Sequence, residues 1–259
     1  MYLMLQTFGA LIMRDLAVFL PTYKDRIINS IIWAILTLLV FQYIMPSLGM
    51  SDNFGAFMAA SNAASWGFFE VTENVSWFVA DLEGDRAISY YLTLPIPQWL
   101  VFFRIGITNA IQALLVTIFF IPAAKIILGT ALSFENTSWA KLAIIMILVH
   151  LFYGLFSLYL ASKTKDMRNI SNIWMRIVFP LWFIGCYQFP WSVLRDMAPT
   201  VARINLLNPI MYCMEGTRSA LLGPEGSISF WWCAGALALF CIASGYIGIK
   251  KMKQRLDCI

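Results

Sequence analysis

From Ile27 to Met45 the chain runs without one charged side chain, then closes on Pro46. A run of that length matches the about 20 apolar residues that a helix needs to cross the hydrocarbon core of a bilayer. Further long apolar runs at 54-80, 102-122, 139-161, 173-189 and 230-249 bring the expected spans to six. Composition points the same way: 60% of the 259 residues are hydrophobic and 12% charged, where a water-soluble domain carries roughly 25% charge. An ordinary soluble enzyme is excluded. The 18 Lys and Arg against 14 Asp and Glu leave a net charge of +4, too small and too dispersed for a nucleic-acid-binding surface.

Lys and Arg in short loops orient a membrane chain with its basic side towards the cytoplasm. Arg14, Lys24, Arg26, Arg86, Arg104, Lys163, Lys165, Arg168, Arg176 and the tail from Lys250 to Arg255 fall on one side. Lys125, Lys141, Arg195, Arg203 and Arg218 fall on the other. The expectation is a multi-pass protein with both termini cytoplasmic. Residues 1-22 lack a basic n-region and a small-residue cleavage site, and Arg14-Asp15 interrupt them, so a signal peptide is not expected. Phe8, Leu11, Ile12, Asp15 and Phe19 recur at helical intervals, which predicts an amphipathic helix lying along the membrane surface.

The second run carries small residues at Ala56, Ala60, Ala63, Ala64 and Gly67, a face on which helix backbones approach closely; it is the local candidate for a seam between two copies. Glu70 and Glu73 lie further along, on one face of the same helix. An intramembrane carboxylate is a functional candidate by default; the alternative is a helix that projects beyond the bilayer and holds both acids in the wet interfacial zone. Segment 191-227 is too polar to span and too apolar for a plain loop. It predicts two short re-entrant helices in the outer leaflet, the first capped by Ser192, the second by Asn208 with Pro209 in its first turn and Gly223-Pro224 at its end. Glu215 and Arg218, at i and i+3, can neutralise each other there.

Loop 81-100 opens on acids, holds a short helical run and ends at Pro95 and Pro97. Exposed Tyr90, Tyr91, Leu92 and Leu94 would either dock on a partner protein or dip into the headgroups, since aromatic residues favour both settings. The second loop, with Lys165, Asp166 and Arg168, and the basic tail serve topology at minimum. The five cysteines, Cys186, Cys213, Cys233, Cys241 and Cys258, form no C-x-x-C pair and none neighbours the lone His150, so no metal site is expected. Pairing of Cys186 with Cys213 is open.

Read together, these segments resemble the membrane subunit of ABC-2 type transporters, the ATP-binding-cassette exporters of polysaccharides, nodulation factors and drugs. Leu11-Ile-Met-Arg-Asp-Leu followed by Ile32-Trp-Ala is similar to the opening of the O-antigen, capsule and teichoic-acid branch. Glu83-Gly84-Asp85-Arg86 through Leu94-Pro95 resembles the family's coupling helix, with Ala87-Ile-Ser-Tyr-Tyr91 where many relatives carry a Thr-Leu-Glu-like run. Lys165-Asp166 stands where the family often has a basic-Asp pair. Asn205-Leu-Leu-Asn-Pro-Ile, Glu215-Gly-Thr-Arg218 and Leu221-Leu-Gly resemble its late signature.

The resemblance implies one all-α membrane domain over 1-259 in a bacterial cytoplasmic membrane. It implies a homodimer of this chain, two copies of an ABC ATP-binding subunit, and ATP with Mg on that partner. The chain has no G-x-x-x-x-G-K-[ST] phosphate loop, so it is expected to hydrolyse no nucleotide and to hold no cofactor of its own. Expected cargo is a lipid-linked glycan, glycolipid or other amphipathic molecule, with a small drug as the alternative. An intramembrane enzyme, which would cluster His, Asp or Glu, and a passive channel, which would show charged rings or a filter loop, are the rivals from other classes.

Overall fold

A computed structural model describes residues 2–49 and 54–257. Every regular element among them is helical. The first, α1 (Tyr2–Leu39), continues through a π turn at Val40–Ile44 to Ser47. No break separates the expected surface helix at 1-22 from the expected span at 27-45. Pro21 removes one backbone donor without ending the helix; the neighbouring Thr22 starts no new helix, and its hydroxyl donates back to the Phe19 carbonyl at 2.9 Å. Tyr2, Leu3, Leu5, Met13, Val18, Ile28, Ile32 and Leu36 all lie exposed along its length. The segment expected to rest on the membrane is thus the first part of a single long apolar helix.

Next come α2 (Phe54–Glu83), the five-residue α3 (Ala87–Tyr91), α4 (Gln98–Thr117), α5 (Phe120–Leu128) and α6 (Trp139–Lys163). Then α7 runs through Ile170–Ile173, a π turn at Trp174–Val178 and Phe179–Ile184. It is followed by α8 (Trp191–Met197), α9 (Pro199–Asn205), α10 (Pro209–Leu221) and α11 (Phe230–Asp257).

Among the described residues four segments, not six, are long and apolar enough to cross a membrane: Tyr2–Ser47, Gln98–Ala131, Trp139–Lys163 and Phe230–Leu256. Two expected spans fail for different reasons. Helix α2 is about 45 Å long at 1.5 Å per residue, but Ser, Asn and Gly residues between its alanines and the acids Glu70 and Glu73 lower its hydropathy, and it is buried in protein over most of its length. The run at 173-189 ends at Ile184, before Gly185 and a left-handed Cys186 (φ 63°). Even counted from Ile170 it reaches only about 22 Å, short of a hydrocarbon core of about 30 Å.

The expected pair of re-entrant helices is also corrected. Segment 191-227 forms three helices, of which α10 is buried almost throughout and packs on α2, α6 and α11. Helices α8 and α9 pack on each other. Ser192 lies inside α8, whose cap position is Pro190, and its hydroxyl donates to the Gly226 carbonyl at 3.2 Å. Asn208 does cap α10, accepting from Ile210 N at 3.0 Å, with Pro209 as the first helical residue.

One continuous core runs from Leu11 to Met252, with α6 meeting α2, α4 and α11. The contacts are close because glycines sit at the crossings: a Cβ on Gly154 of α6 would stand 2.1 Å from the Gly106 carbonyl oxygen of α4, and one on Gly67 of α2 would stand 3.0 Å from the His150 and Tyr153 rings. Outside, large apolar side chains face outward, as with Trp231, Trp232, Leu239, Ile242 and Tyr246 along α11. Such a surface is stable only against lipid. The protein is a helical, multi-pass integral membrane protein.

The small residues of α2 turn out to be spent internally. Ala56, Ala60, Ala63, Ala64 and Gly67 are all buried within one chain, where they leave no open face for a second copy.

Candidate functional site

At one end of the bundle, α3 is built onto the last turn of α2. Arg86 takes a left-handed backbone (φ 52°), turning the chain back so that the Asp81 carboxylate receives Ala87 N at 2.9 Å and Ile88 N at 3.0 Å. An acid at the start of a helix satisfies donors that have no partner within it. Ile88 anchors the helix in the core. Tyr91 is held more firmly: the Arg14 and Arg104 guanidiniums lie 4.5 and 4.8 Å from its ring centroid, and Arg14 Nη1 donates to its hydroxyl. Asp15 locks both arginines, at 2.5 Å from Arg14 and 3.0 Å from Arg104, and accepts from Thr108. The five-residue helix is thereby clamped to α1, α2 and α4.

Exposure follows from that clamp. Tyr90 is 65% exposed, and Glu83, Gly84, Asp85, Arg86 and Pro95 are exposed around it. Tyr91, Leu92 and Leu94, expected to lie open, are half-buried against the core.

The second loop meets the first. Glu83 accepts from Met167 N at 3.2 Å. Asp166 caps the short turn after it, accepting from Asn169 N at 3.2 Å, while the Lys165 and Arg168 side chains are exposed. From α11, Arg255 donates to the carbonyls of Ala161 at 2.8 Å, Thr164 at 2.5 Å and Lys165 at 3.0 Å. It thus satisfies the acceptors that the end of α6 leaves open. Two loops and the basic tail form one braced platform.

Behind α3 lies a cleft of about 410 Å³, lined among others by Asp15, Arg26, Asn74, Trp77, Asn109 and Gln112. Glu70 and Glu73 face Arg26 of α1, at 3.4 and 2.5 Å, and Trp77 Nε1 donates to Glu73 at 3.3 Å. Neither acid is a free intramembrane charge, because the arginine of the neighbouring helix meets both. Asp15 is set against Arg14 and Arg104, and Asp81 is engaged by the α3 amides, so each of these charges meets a partner within the chain. What the cleft offers a ligand is amides, hydroxyls and an indole rather than an unpaired charge.

Glu215 and Arg218 form a second node, towards the other end of α2. Arg218, 2% exposed, donates to Glu215 at 2.7 Å, to Ser61 at 3.1 Å and to the Cys186 carbonyl, and lies 4.0 Å from the Phe57 ring centroid. Glu215 also accepts from Trp191 N and Ile228 N, each at 3.0 Å. Asn208 Nδ2 donates to the Leu181 carbonyl at 2.8 Å. The node ties α2, α7, α8 and α10 together, and its carboxylate and guanidinium are both engaged by protein.

Sequence reasoning missed the partners here: Arg26 for the glutamates, Asp15 and Arg104 for Tyr91, and Ser61 for Arg218. Only helix–helix geometry pairs residues so distant in the chain. His150 is a packed histidine, bonded to the Met146 carbonyl at 2.7 Å and to Thr117 at 3.0 Å. Cys186 and Cys213 are unpaired, and Cys258 lies outside the described residues. No cluster able to hold a metal occurs among the described residues. No protein-family model, no curated protein and no solved structure matches the chain.

Proposed function

We propose that this chain is the membrane subunit of an ATP-driven exporter of the ABC-2 type. Its cargo is a lipid-linked glycan, glycolipid or other amphipathic molecule, moved outward across a bacterial cytoplasmic membrane. Two copies of the chain work with two copies of a separate ATP-binding subunit, and the platform end, with both termini, faces the cytoplasm. The observation that carries this reading is α3: a short helix capped by Asp81 and clamped at Tyr91, with Tyr90 turned outward. A rigid helix of this kind transmits a displacement that a loose loop would absorb. Basic side chains gathered at the same end support the orientation, and a cleft whose charges are paired within the chain suits a polyhydroxyl group better than a cationic drug. A seam between two copies has to use a face other than the small residues of α2.

The experiment is purification of the tagged protein with its ATPase from the native host. Tyr90→Asp is expected to remove the ATPase while leaving the thermal stability of the membrane subunit unchanged, because Tyr90 makes few contacts within the chain. Retention of the ATPase by Tyr90→Asp, or transport by the chain purified alone, overturns the proposal.

A further inference from the structure

At the end of the bundle where α5 turns into α6, a groove of about 680 Å³ opens on the outer surface between α4–α5 and α6. Its walls are apolar: Leu114, Ile118 and Ile121 on one side, Ala143, Met146 and Ile147 on the other. Lys125 is the single charged residue among the described residues that line it. Its ammonium donates to the carbonyls of Gly129 at 2.8 Å and Leu132 at 2.7 Å. An ammonium has three donors, so one is left for a ligand. No carboxylate among the described residues forms an ion pair with it.

Depth is marked by the aromatic residues beside it. Trp139 is 58% exposed and packs edge-on to Phe134, at 5.3 Å between centroids, and Phe134 in turn lies 5.4 Å from the Lys125 ammonium. Exposed indoles of this kind sit at the headgroup level of a bilayer. From that level the groove runs inward along both walls, from Lys125 to Leu114 and from Trp139 to Ile147. At 1.5 Å per residue these are about 16 and 12 Å, the scale of most of an acyl chain.

We propose that this groove is a binding site for an anionic phospholipid, with its phosphate on Lys125 and one acyl chain between α4–α5 and α6. The choice of an anionic lipid over a zwitterionic one rests on charge complementarity: the third ammonium donor has no acid to meet it, and the walls below offer only dispersion contacts. The site is separate from the exporter reading, lies at the opposite end of the bundle from α3, and does not depend on what the chain transports.

The test is native mass spectrometry of the delipidated full-length protein titrated with phosphatidylglycerol or phosphatidylcholine. A phosphatidylglycerol bearing a diazirine in its acyl chain is crosslinked in parallel and mapped by peptide. Wild type is expected to prefer phosphatidylglycerol by about tenfold, because both headgroups offer a phosphate but phosphatidylcholine sets a second cation against Lys125, with crosslinks concentrated in 114–122 and 139–147. Lys125→Gln, which removes the charge and keeps an amide donor group, should lose the preference, and Lys125→Arg should keep it. Ala143→Trp fills the groove from an exposed position without touching Lys125, and should abolish the crosslink. Equal binding of the two lipids by wild type, a preference undiminished in Lys125→Gln, or crosslinks spread evenly over α11 would overturn the proposal.

Discussion

Gly154→Ala adds one methyl group where α6 meets the backbone of α4. Its Cβ would stand 2.1 Å from the Gly106 carbonyl oxygen and 2.9 Å from Ala110 N. Both are backbone atoms of a helix, so no side chain can rotate away. An ordinary carbon–oxygen contact is about 3.3 Å, so α4 and α6 must part by about 1 Å there. A gap of 0.5–1 Å forfeits roughly a quarter to a half of each dispersion contact, and Phe102, Val101, Leu155 and Leu158 are all buried near this crossing. Overpacking of this kind costs about 1–3 kcal/mol, and the better helix propensity of Ala offsets about 1 kcal/mol. The net is about 0–2 kcal/mol; at about 2–4 °C per kcal/mol for a chain of this size, Gly154→Ala should melt up to about 8 °C below wild type in detergent, and Gly154→Leu further below. Gly235, with nothing within 4 Å of an added Cβ, supplies the control: Gly235→Ala should melt at or above wild type. If Gly154→Ala and Gly235→Ala melt together, the close backbone crossing is refuted.

Other outcomes follow from the charged nodes. Arg218→Met strands the buried Glu215 carboxylate and should cost about 3–5 kcal/mol, seen as loss of monodisperse protein on size exclusion. Glu70→Gln leaves Arg26 paired with Glu73 at 2.5 Å, so it should lower the melting temperature by less than Arg26→Met, which strands both acids; the reverse order would refute the Arg26 bridge. In a Cys258→Ser background, the buried and unpaired Cys186 and Cys213 should react with maleimide only after denaturation, and the intact mass should show no disulfide.

What was legible in the sequence was whatever a single helix encodes in its own order of residues. The apolar runs around Trp139 and Phe230, the Asn208-Pro209 cap and the i, i+3 pair of Glu215 and Arg218 are all local patterns, and the structure has them. The count of six spans is too high because length without high hydropathy does not make a span: in α2 the Ser, Asn and Gly residues between the alanines and the acids Glu70 and Glu73 lower the hydropathy, and its small side chains pack on neighbours in the same chain. The expected break before Ile27 falls at Lys24, Asp25 and Arg26, where the charge-free run ends; the helix winds through them, and Arg26 is the partner of Glu70 and Glu73. Gly106 and Gly154 carry no pattern at all, since each is a lone glycine whose importance lies in the other.

Those same nodes decide where a push on α3 would travel. On α1, Asp15 engages Arg104 and Thr108 of α4, and Arg26 engages Glu70 and Glu73 of α2, about 16 Å apart along the helix. Helix α1 therefore cannot shift along its axis without moving both neighbours, and Tyr91 fastens α3 to the first of these nodes. Under the proposed exporter, docking and transmission thus fall on adjacent residues, Tyr90 exposed and Tyr91 clamped, whose rings meet edge-on at 5.7 Å between centroids. Tyr91→Ala should then keep the ATPase bound, because Tyr90 is intact, while transport falls at least tenfold for the same amount of complex. Tyr90→Asp should lose the ATPase and transport together. A Tyr91→Ala complex that transports at the wild-type rate would show that α3 does not act through Arg14 and Arg104, and the force would then have to enter α2 directly through Asp81.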